Sequence, residues 1–148
     1  MVYRDTVTLF NYHESTGLWY PTVFSGVDFG VNTATNETTT GKTGSDAVTL
    51  LIHCTPDRQF IAADGKEKSY QAAKVYAKCS NPADCITFKT GCDFIYCGAW
   101  AWDGVESLTE EDYASGLYHE MNQKYDGVYR IYSAAFFDLL PHVEIGGR

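Results

Sequence analysis

Bases are scarce in this chain: 11 lysines and arginines stand against 19 acids in 148 residues, a net charge of −8. A protein that grips nucleic acid through phosphate contacts needs a basic face, so direct nucleic-acid binding is not expected. Long apolar runs are missing too. None approaches the ~20 residues that span a bilayer, and no membrane association is expected. The start, Met1-Val2-Tyr3-Arg4-Asp5, has no apolar signal core. The chain is therefore expected to be made and kept in a cytoplasm.

Signatures of catalysis are equally scarce. There is no Gly-x-x-x-x-Gly-Lys phosphate loop, no dinucleotide-binding glycine fingerprint and no Gly-x-Ser-x-Gly elbow. His119-Glu120 opens a zinc-protease motif, but position 123 is Gln123 where that motif needs histidine. Cys54 or Cys97 with His119 or His142 would make a nucleophile pair, yet nothing in the spacing selects one. The expectation is a non-enzyme with no catalytic residue and no cofactor.

Five cysteines stand at 54, 79, 85, 92 and 97, without the Cys-x2-Cys spacing of a structural zinc knuckle. An odd count without an export signal argues against a disulfide framework. The expectation is reduced, metal-free thiols packed as small hydrophobes.

What the chain does contain is strand pattern. In Asp5–Tyr12, Val7 and Leu9 alternate with threonines, and Val143 and Ile145 alternate with Glu144, so both ends read as strands of one small sheet. Leu18–Phe29 is extended, with Pro21 marking an edge or a late start and Gly26 a bulge. Ala47–Cys54 is nearly all apolar and reads as a central strand, with His53 a core or sheet-face histidine rather than a ligand. Short strands follow at Arg58–Ala62, Cys85–Lys89 and Cys92–Cys97, and a long one at Val128–Phe137. Glu67–Lys78 reads as a short helix or an irregular crossover.

One helix is expected near residues 108–124. Ser107 and Glu110 fit a capping box, and Glu110, Glu111 and Asp112 suit a first turn. Tyr113, Leu117 and Met121 make an apolar stripe, and Lys124 suits the last turn. The fold class is thus mainly β (α+β): an antiparallel β-barrel or sandwich with one packed helix, as a single domain over 1–148.

Residues 30–46 contain almost no large aliphatic side chain, which suggests a flexible loop or hairpin arm that orders on a partner. Its Asn32, Thr35, Asn36, Thr39 and Lys42 are candidate interaction residues. Trp100 and Trp102 form either a stacking platform or a lid over the core. Acids dominate from Asp103 to Asp126, against Lys124 alone. Glu110, Glu111 and Asp112 are therefore either a solvated face or a docking face for a basic partner. Eleven tyrosines suit protein recognition.

Three stretches together carry a resemblance. They are Tyr3-Arg4-Asp5-Thr6-Val7-Thr8-Leu9-Phe10-Asn11 with Trp19-Tyr20-Pro21-Thr22-Val23, Ile86-Thr87-Phe88-Lys89-Thr90-Gly91-Cys92-Asp93-Phe94, and Tyr125-Asp126-Gly127-Val128-Tyr129-Arg130-Ile131 with Pro141-His142-Val143-Glu144-Ile145-Gly146-Gly147. The chain resembles small neck, head-closure or minor capsid proteins from the head–tail cassettes of tailed phages and prophages of Gram-positive bacteria. The resemblance implies a virion structural protein that assembles with other neck proteins or the portal, in a homo-oligomeric ring, with a long loop touching neighbours or the DNA channel. The cysteine load and the acidic helix depart from that pattern. The competing expectation is an acidic prophage-encoded inhibitor that binds a host defence protein such as a nuclease.

Overall fold

The computed structural model describes residues 5–31, 48–100 and 106–148. Six strands close into a barrel: β1 (Asp5–His13), β2 (Leu18–Val31), β3 (Val48–His53), β7 (Phe94–Cys97), β9 (Val128–Phe137) and β10 (His142–Gly147). Their order is β1-β7-β9-β10-β3-β2, and β1–β2 pairing completes the ring. Every neighbouring pair is antiparallel. The two terminal strands share this sheet as expected, but they lie across the barrel from one another, three strands apart in either direction.

β2 is the corner of the barrel. Leu18 to Val27 run along β1 and the last four residues pair with β3. Near the end of the β1 pairing the register slips by one residue opposite Thr6, where Gly26 takes φ 67°. That left-handed backbone belongs to glycine and forms the bulge that lets one strand turn a corner. Pro21 sits opposite Phe10, in a stretch where β2 has no second strand beside it, so its missing N–H leaves no gap in a ladder. Gly30 and Val31 also belong to β2, paired with Thr49 and Val48, so the polar segment begins later than the composition suggested.

The barrel is filled by Val7, Leu9, Phe24, Val27, Val48, Leu50, Ile52, Ile95, Ile131, Val143 and Ile145. The chain between β3 and β7 supplies further members of the same core. It forms β4 (Gln59–Ile61), β5 (Glu67–Tyr70), the short helix α1 (Ala73–Tyr76) and β6 (Cys85–Ile86). These strands make a separate three-stranded sheet in which β5 and β6 run parallel. Phe60, Ile86 and Phe88 from this insert join the barrel's apolar cluster, each such side chain contributing ~2 kcal/mol by leaving water.

A second cluster explains why β1 is buried along both faces. Phe10, Trp19, Phe94, Leu117, Met121 and Val128 pack together apart from the first core, with Phe10 and Phe94 stacked at 4.7 Å. Its outer layer is α2 (Leu117–Lys124). This helix is shorter than the sequence suggested, and Ser107 does not cap it. Leu108–Thr109 instead form β8 against Leu18 and Trp19, and Glu110–Asp112 make a single 3-10 turn. Gly116 at φ 92° then precedes the helix, a conformation no helix interior can contain. The strand expected over Cys85–Lys89 likewise stops at Ile86, and that expected over Cys92–Cys97 begins at Phe94.

Candidate functional site

Of the expected interaction residues, Asn32, Thr35, Asn36, Thr39, Lys42 and Trp102 lie outside the described residues. The other four separate into different roles. Glu110 points into the protein rather than toward a partner. Its Oε1 accepts the Trp19 indole N–H at 2.6 Å and the Leu117 backbone N–H at 2.9 Å. It therefore caps α2 from outside the helix and ties it to β2. Glu111 and Asp112 are exposed.

Trp100 is half-buried among other aromatic rings. It stands edge-on to Phe10, Tyr96 and Tyr125 at 5.7, 5.8 and 5.8 Å. Its backbone N–H donates to Thr8 Oγ1, which in turn donates to the Gly98 carbonyl.

Beneath this region is a buried carboxylate that sequence patterning did not single out. Asp93 is fully buried. Its Oδ1 accepts from the Tyr12 backbone N–H, and its Oδ2 accepts from Lys89 N–H and Asn11 Nδ2. Asn11 Nδ2 also donates to the Thr87 carbonyl. Burial outweighs these donors and pushes the carboxyl up to about 6. The node joins β1 to the turn that leads into β7.

The cysteines are free thiols. Burial raises Cys54, Cys85 and Cys97, and Cys92 reaches about 11. Cys92 and His119 line one cleft of about 480 Å³ with Tyr12, Trp19, Tyr118 and Arg130. A thiol raised in this way is the reverse of an activated nucleophile. Among the described residues no group of three or more His, Cys, Asp or Glu is placed to hold a metal.

The most exposed large apolar side chains stand at the tip of the β9–β10 hairpin. Leu139 is 88% exposed and Leu140 78%, beside a partly exposed Phe137. Leu140 takes φ 57°, a left-handed backbone that costs a leucine roughly 1–2 kcal/mol. His142 braces this turn. Its ring stacks on Phe137 at 5.1 Å, and its Nδ1 donates to the Leu140 carbonyl at 2.7 Å. Its Nε2 reaches Glu144 at 3.1 Å, and these two acceptors raise the imidazole above its ordinary value.

Residues 2–148 match a family model spanning nearly the whole chain. The chain belongs to the DUF6751 family. That family is one of unknown function, and no curated protein or solved structure matches the chain.

For this DUF6751 member, the most exposed apolar side chains among the described residues stand where no sequence pattern marks them. Leu139-Leu140-Pro141 reads as a strand break, and only the paired register of β9 and β10 shows that it is a displayed hairpin tip. Asp93 was hidden for a related reason. It sits between Cys92 and Phe94 with no periodic signal, and its donors come from residues 4 to 82 positions away.

Proposed function

We propose that this chain is a non-catalytic structural subunit of the head–tail connector of a tailed phage or prophage, working through protein–protein contacts with neighbouring neck proteins, the portal or further copies of itself. The observation that carries the reading is the strained, solvent-facing leucine pair at the end of the last hairpin. Exposed leucines on a costly backbone are unfavourable in an isolated molecule. They become favourable once a partner covers them, at roughly 25 cal/mol per Å² of apolar surface. The closed barrel is compatible with the same reading, because pairing β1 with β2 leaves neither of them as a free terminal edge of the main sheet. The resemblance of the two ends and the middle stretch to small neck proteins supplies the biological setting.

The test is light scattering on the purified chain, alone and mixed with a purified tailed-phage portal protein. Growth in mass, alone or on mixing, is the expected result, and Leu139→Asp with Leu140→Asp should abolish it. A chain that stays monomeric and ignores the portal, but binds a basic host nuclease in a salt-sensitive way, would establish the acidic-inhibitor reading instead.

A further inference from the structure

A second cleft, of about 420 Å³, opens where β2 faces the insert. Tyr20, Pro21, Thr22 and Val23 form one wall, and Ala62, Ala63 and Ala83 contribute the other. Lys68 of β5 lines it and is only 7% exposed. Its Nζ donates to Thr22 Oγ1 at 2.8 Å. Among the described residues it has no carboxylate partner: the nearby ion pair joins Lys66 to Asp84 at 2.9 Å and leaves Lys68 out. An ammonium has three N–H donors to satisfy, and one hydroxyl acceptor cannot do so in a buried setting. The uncharged amine needs less and keeps a lone pair. Desolvation accordingly lowers Lys68 from the ordinary lysine value, Lys66 lowers it further, and Asp64, Asp84 and Glu106 only partly oppose them.

We propose that Lys68 is a nucleophilic amine at the base of a ligand-sized cleft, and that the cleft takes a small uncharged hydroxyaldehyde as a reversible imine. The charges around the cleft decide the ligand class. Asp64 and Glu106 line it, and Lys66 is already committed to Asp84, so an anionic carbonyl compound would meet net repulsion. Hydroxyl groups, in contrast, would find acceptors in those carboxylates. In the step itself the Nζ lone pair attacks the carbonyl carbon and the carbonyl π electrons move to oxygen. The nitrogen loses a proton and the oxygen gains one, with Thr22 Oγ1 close enough to relay it. Loss of water from the carbinolamine then leaves a C=N bond. Amine plus aldehyde give imine plus water, with nothing oxidised or reduced.

The test uses the full chain with glyceraldehyde and sodium cyanoborohydride at neutral pH, followed by peptide mass spectrometry. Lys68 is expected to carry several-fold more adduct than any other lysine, and in urea that preference should vanish. Glyoxylate, the anionic counterpart, should label Lys68 less. Without reductant, glyceraldehyde should raise the Tm of the native chain and not that of Lys68→Met, which keeps the buried stem. Adduct formation at Lys68 should also persist to lower pH than at the exposed lysines. Even labelling across all lysines, Lys68 protected below the rest, or a pH profile shared with the exposed lysines would each overturn the assignment. Equal labelling by glyoxylate would overturn the uncharged ligand class.

Discussion

Trp19 and Leu117 share one oxygen, Glu110 Oε1, at 2.6 and 2.9 Å. Through that atom the start of β2, the 3-10 turn and the first residue of α2 are held together. Gly116 completes the arrangement: a Cβ there would come within 2.7 Å of Glu110 Oε2, and its φ of 92° is left-handed. The acidic segment is thus one structural carboxylate beside two solvated ones. Glu110→Ala should lower stability by about 1.5–3 kcal/mol, the range for a hydrogen bond to a charged group. Gly116→Ala should cost at least about 1 kcal/mol. Glu111→Lys and Asp112→Lys should stay within about 0.5 kcal/mol. Urea unfolding followed by tryptophan fluorescence reads all four. If reversing Glu111 and Asp112 also left partner binding and its salt dependence unchanged, the acidic docking face would be ruled out.

Asp93 sets a pH dependence of unusual sign. Its carboxyl is pushed up to about 6 in the folded chain, against ~3.9 when unfolded. The folded state therefore binds the proton more tightly. The stabilising contribution is complete below the unfolded value and is lost as pH rises through about 6. Most acidic groups act in the opposite direction, as Asp84 does, where Lys66 holds the carboxyl low. The expected measurement is the difference in unfolding free energy between the native chain and Asp93→Asn across pH 4–7. It should shift by a few kcal/mol in favour of the asparagine variant as pH rises. A flat difference would mean that Asp93 is ionised at little cost.

Much of this architecture was legible from alternation alone. Val7 and Leu9 on β1, the apolar run of β3 and the length of β9 each match a barrel strand. The helix boundary was misread because Ser107 and Glu110 satisfy a local capping rule that a tertiary contact overrides. Pairing of Leu108 and Thr109 with β2 and the demand of the Trp19 indole both take precedence over it. Of the candidate interaction residues, Glu111 and Asp112 are exposed as a docking face requires, whereas Glu110 and Trp100 are committed to internal contacts. The leucine tip and Lys68 carry no sequence pattern, since each depends on which residues a fold brings opposite.

The thiols offer a direct check on the packing of both cores, Cys54 against the first and Cys92 against the second. Cys92 at about 11 and raised values at Cys54, Cys85 and Cys97 predict slow reaction with a thiol reagent at pH 8. In denaturant these four should react quickly, bringing the total to five thiols per chain, the full cysteine count. Rapid modification of Cys92 in the native protein would show that the cleft shared with His119 is open and activating. Fewer than five thiols after reduction-free preparation would reveal a disulfide.

Leu140 gives a test in which stability and assembly move in opposite directions. At φ 57° its side chain strains the backbone, and its exposure of 78% means that little packing is lost when it is removed. Leu140→Gly should therefore raise the stability of the isolated chain, by up to about 1 kcal/mol once the extra freedom of glycine in the unfolded state is subtracted. Leu140→Ala keeps the strain and should leave stability nearly unchanged. If the tip seats against a neighbouring subunit, both variants should weaken association, because both remove the same apolar surface. Thermal unfolding at low concentration gives the first quantity and light scattering gives the second. A glycine variant that is more stable and assembles normally would separate the strain from any docking role and remove the main support for the connector reading. A glycine variant that is less stable would instead mean that the Leu140 side chain packs against its own hairpin.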